Sequence, residues 1–215
     1  MLETLTDNWD LFVEAFRTTV LLLIVSGAIS LVAGTLLGAM RVSPVPALRT
    51  AGTAYVTLLR NTPLTFVFFF VAFGFPRLDI RFSYFAFAVV ALSAYTSAFV
   101  CEAVRSGINT VHVGQAEAAR AIGMTFGQTL TQVVLPQALR AAVPPVMSVI
   151  IALAKNTTIA SGFGVMEAGA IGATLNERGY PAFDAMIWVA VGFVIVVLPL
   201  SLTQRRLERA VVRSR

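Results

Sequence analysis

Residues 18–40 read TTVLLLIVSGAISLVAGTLLGAM and contain no charged side chain. A helix needs about 20 apolar residues to cross the hydrocarbon core of a bilayer. The run from Thr18 to Met40 therefore predicts a transmembrane helix. Gly27, Gly34 and Gly38 within it are spaced as small residues are where membrane helices pack closely, although the tolerance of membrane helices for glycine explains them equally well.

Four further apolar runs of similar length follow along the chain. The composition agrees, with 57 % hydrophobic and 13 % charged residues and a mean hydropathy of +0.81, which is more apolar surface than a soluble domain could bury. We therefore predict an all-α integral membrane protein with five transmembrane helices in one domain, residues 1–215. The later predicted spans are 48–75, 82–104, 141–163 and 182–202, and Lys155-Asn156-Thr157-Thr158 interrupts the fourth.

The loop charges predict the orientation. With the N-terminus outside, the inner segments carry Arg41, Arg49, Arg105, Arg120, Arg140 and the tail arginines 205, 206, 209, 213 and 215. The outer segments carry four arginines against eight acids: Arg17, Arg77, Arg81 and Arg178; Glu3, Asp7, Asp10, Glu14, Asp79, Glu167, Glu177 and Asp184. Basic residues favour the cytoplasmic side, so the C-terminus is expected in the cytoplasm. The basic tail suits anionic lipid better than nucleic acid, because no aromatic reading surface accompanies it.

Some classes of chemistry are disfavoured by residue counts. Cys101 is the only cysteine and His112 the only histidine, so neither a metal site nor a Cys-His nucleophile is expected. No glycine-rich phosphate loop ending in Lys-Ser/Thr occurs, and we expect no ATP site in this chain. The N-terminus lacks the basic start and cleavage site of a signal peptide, so the first span is expected to stay in the mature protein.

Two connections are longer than a turn requires. The inner one, residues 105–140, predicts a short helix from Ala116 to Met124, then Gly127, then a second helical stretch over 128–139 that ends near Pro136. The outer one, residues 162–181, is rich in glycine around a possible short helix over 165–175. It is either an extracellular lid or, as is more usual, an ordinary exposed loop.

One motif in the inner connection carries a family resemblance. Glu117-Ala118-Ala119, then Gly123 and Leu135-Pro136, resemble the motif of importer-type ABC transporter permeases. The match also covers Tyr95, Ala98, Glu102, Arg105, Gly107-Ile108, Gln137-Ala138, Arg140, Pro144-Pro145 and Lys155. Arg60-Asn61-Thr62-Pro63-Leu64 resembles the Arg-Gly-Thr-Pro-Leu of the polar amino acid uptake branch, and the whole chain is similar to actinobacterial glutamate-uptake permeases.

This resemblance implies a transport subunit of the bacterial cytoplasmic membrane, multi-pass and not itself an enzyme. The implied partners are two ATPase subunits that carry ATP and Mg, a second permease chain, identical or related, and an extracytoplasmic substrate-binding protein. The short helix between the third and fourth spans would then be a coupling helix that moves with the ATPase as a rigid body. Ala118, Ala119 and Gly123 would permit close approach, and Glu117 near the helix start would stabilise terminal N–H groups or pair with a base of the partner.

Ionisable groups inside spans are candidates for the substrate pathway because burying them in lipid is costly. Glu102 and Arg105 are spaced to meet on one helix face, which favours a structural ion pair. Arg60, Asn61 and Thr62 precede a proline that frees backbone groups to line a cavity. The polar interruption Lys155, Asn156, Thr157 and Thr158 ends an apolar half-helix, as transporter sites often do, although Lys155 could equally reach for the interface.

The substrate prediction rests on one departure from the family. Relatives commonly have Lys-Asp-Thr-Ser where this chain has Lys155-Asn156-Thr157-Thr158, and the loss of the acid removes an attraction for cationic amino acids. We therefore predict glutamate first, with glutamine, aspartate or a cationic amino acid as alternatives. An ion channel would need a selectivity filter or a charged ring, and a membrane enzyme would need paired acids or a nucleophile with its base; neither pattern is visible.

Overall fold

A computed structural model describes residues 1–213 of the chain, with side chains to residue 209. The tail side chains of Arg213 and Arg215, which contribute to the predicted inner charge, lie outside the described residues. Most of the described chain is α-helical: α1 (Leu2–Thr6), α2 (Trp9–Val42), α3 (Pro46–Arg60), α4 (Leu64–Phe69), α5 (Phe75–Arg77), α6 (Tyr84–Asn109), α7 (Val113–Ala121), α8 (Phe126–Gln128), α9 (Leu135–Asn156), α10 (Ile171–Glu177) and α11 (Ala182–Arg213).

The centre of the bundle is α6, which packs between α2 and α9. Small residues set how closely the helices approach. A Cβ atom on Gly34 of α2 would lie 2.5 Å from Cβ of Val100, and one on Gly107 would lie 2.5 Å from Cβ of Ala142 in α9. Gly27, by contrast, has only ordinary contacts at 3.7 Å. Close approach of neighbouring helices therefore requires glycine at Gly34 but not at Gly27.

The two ends of the bundle carry different short helices. The end of α6 at Asn109 leads into α7, and this side is called the α7 face; the opposite side, with α1 and α10, is called the α1 face. Four described helices are long and apolar enough to cross a membrane, or five spans when the bent pair over residues 46–60 and 64–77 is counted as one. The all-helical membrane architecture is thus confirmed, whereas the exact span boundaries stay a prediction.

The predicted second span, residues 48–75, is not one straight helix. The helices over 46–60 and 64–77 meet at 105°. Pro63 lacks the N–H that would continue the helix, and its ring disfavours helical geometry in the preceding residue. Beyond the bend, a π-helical turn over Phe70–Gly74 joins α4 to α5, so the chain changes direction at Asn61 to Pro63.

The connection into the fourth span also differs from the sequence prediction. The helical stretch does not end near Pro136, because a π-helical turn (Thr129–Val134) leads straight into α9. Pro136 directly follows this π-helical turn inside a continuous helical run, Phe126–Phe163, so its missing N–H falls at an irregularity of the helix. After Asn156 the chain tightens into a 3₁₀ helix, Thr157–Phe163, and Phe163 stacks on Phe68 with ring centroids 5.0 Å apart.

The connection on the α1 face is more ordered than the predicted loop. Its regular helix is α10, Ile171–Glu177, which begins later than the expected 165–175, after a short 3₁₀ turn at Ala168–Ala170. Ile171 and Leu175 are fully buried against Phe12, Ala15 and Ala185. This connection is therefore packed onto α2 and α11.

Candidate coupling surface and translocation groove

The α7 helix is held by its own caps. The Nδ1 atom of His112 accepts from the N–H of Gly114 at 3.1 Å and so caps the N-terminus. At the other end Met124 N–H donates to Ala119 O at 3.1 Å and Gly123 N–H to Arg120 O at 3.0 Å. This pair of bonds is a Schellman motif. It places Gly123 at φ +91°, a left-handed conformation that glycine adopts without strain.

These positions change the expected roles of the motif. The helix begins at Val113 and not at Ala116, so Glu117 lies in its middle and His112, not Glu117, satisfies the terminal N–H groups. No atom lies within 4 Å of the position that a Cβ of Gly123 would occupy. Within this chain, Gly123 is therefore explained by its backbone conformation, and the predicted close approach to a partner stays a prediction.

The two alanines of the motif face different ways. Ala119 is 5 % exposed and lies on the side of α7 that packs on the π-helical turn, where Thr129 is 4 % exposed. Ala118 and Glu117 are exposed. The outer face of α7 is thus free for a partner, while Ala119 holds the helix to its own chain.

The most prominent apolar groups on this face are ones that the motif does not include. Ile122 is 82 % exposed, Phe126 75 % and Val113 69 %. Large apolar side chains exposed to this degree are typical of an interaction surface. Sequence reasoning missed them because an apolar residue in a short amphipathic segment is read as core unless the backbone shows which way it points.

A groove lies between α6 and α9 at about the middle of α6. Its cavity volume is about 180 Å³, and its walls are Tyr95, Thr96, Phe99, Val149, Ala152, Leu153 and Asn156. Few polar groups on mostly apolar walls are typical of small-molecule sites. A site near the middle of the bundle, next to a helix break, is the usual place for transporter substrates.

Only one residue of the predicted interruption at 155–158 lines this groove. Asn156 is a wall. Thr157 is fully buried and donates to Ala154 O at 2.9 Å, and Thr158 donates to Lys155 O at 2.8 Å, so both hydroxyls satisfy backbone groups of their own helix. Lys155 is exposed on this chain and makes no ion pair among the described residues.

Arg60 belongs to a charge cluster that joins three helices. The Glu102 carboxylate of α6 accepts from Arg41 of α2 and, at 2.8 Å, from Nη2 of Arg105. An Arg60 nitrogen lies 3.4 Å from the same carboxylate. The Glu102–Arg105 pair predicted from its spacing is therefore present, whereas Arg41 comes from a different helix and could not be predicted from spacing.

The neighbours of Arg60 at the bend turn toward their own helix. Asn61 Nδ2 donates to Thr57 O at 2.7 Å, and Thr62 Oγ1 donates to Leu58 O at 2.8 Å. The Thr62 hydroxyl thus satisfies a carbonyl group that the helix end would otherwise leave free, whereas Thr57 O also accepts from the backbone N–H of Asn61 at 3.3 Å. Asn61 is exposed beside this end, and a contact with substrate stays a prediction for both residues.

On the α1 face, Glu167 is fully buried. Its Oε1 accepts from Gly169 N–H at 2.8 Å and its Oε2 lies 3.1 Å from Oγ1 of Thr19 in α2. Burial raises the pKa of Glu167 to about 7, and its hydrogen bonds with Gly169, Thr19 and Ser161 only partly offset this. No group of three or more His, Cys, Asp or Glu suited to a metal occurs among the described residues.

A bundle of helices long and apolar enough to cross a membrane is the architecture of a multi-pass membrane protein. Comparison with known families identifies the class of membrane protein. Residues 30–214 match the family described as "Binding-protein-dependent transport system inner membrane component", and the chain belongs to this family.

Individual relatives match over nearly their full lengths. The chain is 45 % identical to the glutamate transport system permease protein GluC of Corynebacterium glutamicum, covering 93 % of this chain and 94 % of that protein. It is 34 % identical to the probable glutamine ABC transporter permease protein GlnM of Bacillus subtilis, with 98 % and 97 % covered. A solved structure, "Crystal structure of an amino acid ABC transporter with histidines", matches with a TM-score of 0.90, 26 % identity and 96 % of each chain covered.

Family membership confirms several predictions made from the sequence. The chain is a permease subunit of an ABC importer and not itself an enzyme, and it is a multi-pass protein of the inner membrane. The family also implies a complex with a separate ATPase and a partner subunit. The coupling and pathway residues stay predictions, since the comparisons do not address individual positions.

Proposed function

We propose that this chain carries an acidic amino acid, glutamate first, across the cytoplasmic membrane as part of an ATP-driven importer. The observation that supports it best is the 45 % identity, over 93 % of the chain, to a glutamate permease. The groove agrees with this choice. Asn156 lines the groove with its side-chain amide, at the position where a carrier of cationic amino acids would benefit from an acid. The groove walls therefore carry no carboxylate that would repel an anionic substrate.

The chain works within a larger complex. The α7 face is the cytoplasmic side, and α7 with Glu117, Ala118, Ala119 and Gly123 docks on one of two ATPase subunits, which hold ATP and Mg. Ile122 and Phe126 are the apolar anchors of this contact. A second permease chain, identical or related, completes the pathway, and an extracytoplasmic binding protein delivers substrate to the α1 face. Lipid surrounds the remaining apolar surface, and nucleic acid has no part.

The substrate pathway is proposed to run past Arg60, Asn61 and Thr62 and along the segment of Lys155, Asn156, Thr157 and Thr158. Within it, Asn156 contacts substrate directly, because it is the member of that segment on the groove wall. Thr157 and Thr158 shape the helix end through their bonds to backbone carbonyls.

Glutamine is the second candidate substrate, because a relative 34 % identical over 98 % of the chain is named a probable glutamine permease. Glutamine and glutamate have nearly the same shape, so Asn156 alone does not separate them. The charge of the side chain is what a site must sense to distinguish the two.

Uptake competition tests this proposal. Membrane vesicles containing the chain, its ATPase and its binding protein take up radiolabelled glutamate in the presence of excess unlabelled amino acids. We expect glutamate and aspartate to inhibit uptake, and arginine and lysine to have no effect. Inhibition by arginine or lysine as strong as that by unlabelled glutamate would contradict the substrate assignment.

A further inference from the structure

The charge cluster around Glu102 is unbalanced. Three guanidinium groups, those of Arg41, Arg60 and Arg105, surround one carboxylate, which leaves two positive charges in excess. Among the described residues, Glu102 is the only acid within 4.0 Å of any of the three. Charges inside or near a membrane are normally paired, because removing them from water is costly. The cluster can therefore accept a further anion.

The three arginines are not equivalent. Arg41 is 14 % exposed and bonds directly to Glu102, and Arg105 places both Nε and Nη2 on its Oε2 at 3.2 and 2.8 Å. Arg60 is 46 % exposed, and its nearest nitrogen is 3.4 Å from Oε1, longer than a good charge-assisted hydrogen bond. Arg60 is thus the most accessible and most weakly held of the three.

Arg60 also lies next to the groove. Its guanidinium carbon is 5.7 Å from the centroid of the Phe99 ring, and Phe99 is a wall of the groove between α6 and α9. The Phe99 ring supports the guanidinium by a cation–π contact. The same wall continues through Tyr95, whose ring centroid is 4.9 Å from that of Phe99.

We propose that Arg60 binds the side-chain carboxylate of the substrate during passage, and that Glu102 is the internal anion which the substrate replaces there. Glu102 returns to Arg60 when the substrate leaves, so the arginine is not left without a partner. Arg41 and Arg105 hold Glu102 within reach of Arg60 throughout. This assignment rests on the proposed function, and it makes Arg60 the residue that distinguishes glutamate from glutamine within the permease.

The test compares two substrates of nearly equal shape and different charge. Complete complexes, with ATPase and binding protein, are reconstituted in proteoliposomes, and the uptake efficiency, kcat/KM, is measured for glutamate and for glutamine. Arg60→Gln is expected to lower the glutamate-to-glutamine ratio about tenfold or more, as expected for the loss of one charge-assisted hydrogen bond. Arg60→Lys retains the charge but not the planar fork, and its ratio should lie between the two.

Two further variants separate this role from a general effect of charge. Arg49→Gln removes an exposed arginine from the same helix as Arg60 but outside the Glu102 cluster, and it should leave the ratio unchanged. Glu102→Gln removes the internal competitor and should raise the ratio, while glutamate release becomes slower. If Arg60→Gln does not accumulate in the membrane, Arg60→Lys and Glu102→Gln still change the ratio in opposite directions.

The outcomes are distinct. The inference is overturned if the Arg60 variants leave the glutamate-to-glutamine ratio unchanged. An equal fall in uptake of both substrates, expected if Arg60 binds a lipid phosphate, overturns it as well. In either case the importer function stands. Absence of ATP-dependent uptake of either amino acid by the unmodified complex overturns the proposed function itself.

Discussion

Replacing Glu167 with glutamine should make the protein more stable at neutral pH and leave its stability at acid pH unchanged. The carboxylate is fully buried between the connection on the α1 face and α2. Burial penalises its charged form. The pKa of Glu167 is accordingly raised to about 7 from an ordinary value of 4.5. Glutamine resembles the neutral carboxylic acid and can still accept from the N–H of Gly169 with its carbonyl oxygen.

Proton linkage determines how the stability depends on pH. Between pH 4.5 and about 7 the folded protein retains a proton on Glu167 that the unfolded chain has lost, so the free energy of unfolding falls as pH rises through this window. The shift from 4.5 to about 7 corresponds to a loss of about 3 kcal/mol, at about 1.4 kcal/mol for each pKa unit. The full stabilisation is present below pH 4.5 and is gone above about 7.

Thermal unfolding of the purified complex at several pH values measures this effect. Cys101 is the only cysteine of the chain and is buried, so a maleimide dye reacts with its thiol only when the chain unfolds. The ATPase subunits are made free of cysteine so that the dye reports on this chain alone. The matched control is Glu177→Gln, which removes an exposed carboxylate from the same connection. A melting-temperature difference between Glu167→Gln and the unmodified protein that stays constant from pH 5 to pH 8 would refute the reasoning.

Three further changes test packing, backbone geometry and substrate choice. Gly34→Ala places a Cβ 2.5 Å from Val100 Cβ and 2.8 Å from Ser97 O, so it should lower the free energy of unfolding by about 1–3 kcal/mol in the same thermal assay, whereas Gly27→Ala should cost far less. Gly123→Ala, at φ +91°, should cost about 1–2 kcal/mol locally and should reduce substrate-stimulated ATP hydrolysis. Gly127→Ala, in open space without a positive φ, should leave this hydrolysis unchanged. Equal ATP hydrolysis by the two variants would remove the role of the α7 turn. Asn156→Asp adds a negative charge to the groove wall and should reduce glutamate uptake relative to that of glutamine, and an unchanged preference would show that Asn156 does not face the substrate.

Much of the fold could be predicted from the sequence because lipid imposes a strong constraint. Apolar runs such as residues 18–40 identify helices by length alone. The bend at Pro63 was harder to predict, since proline is tolerated within membrane helices when neighbouring groups satisfy the freed carbonyls. Pro144 and Pro145, for example, lie inside α9 without ending it.

The candidate site was predicted less completely. Spacing on one helix was enough to pair Glu102 with Arg105, but Arg41 and Arg60 come from other helices, and only the fold brings them to the same carboxylate. The interruption at residues 155–158 was visible as polarity, yet only the backbone shows that Asn156 faces the groove and that Thr157 is buried. Likewise, the sequence pointed to Gly123 as a small contact residue, whereas its φ angle explains it as a helix cap.

The most direct test of the central claim is ATP-dependent accumulation of glutamate. Proteoliposomes containing this chain, its ATPase and external binding protein are given radiolabelled glutamate with ATP or with a non-hydrolysable analogue inside, and Ile122→Asp serves as the variant that disrupts the α7 surface. We expect accumulation against a gradient only with ATP, and its loss in Ile122→Asp while the chain remains in the membrane. Glutamate flux that is the same with ATP and with the analogue, or full accumulation by Ile122→Asp, would contradict the account.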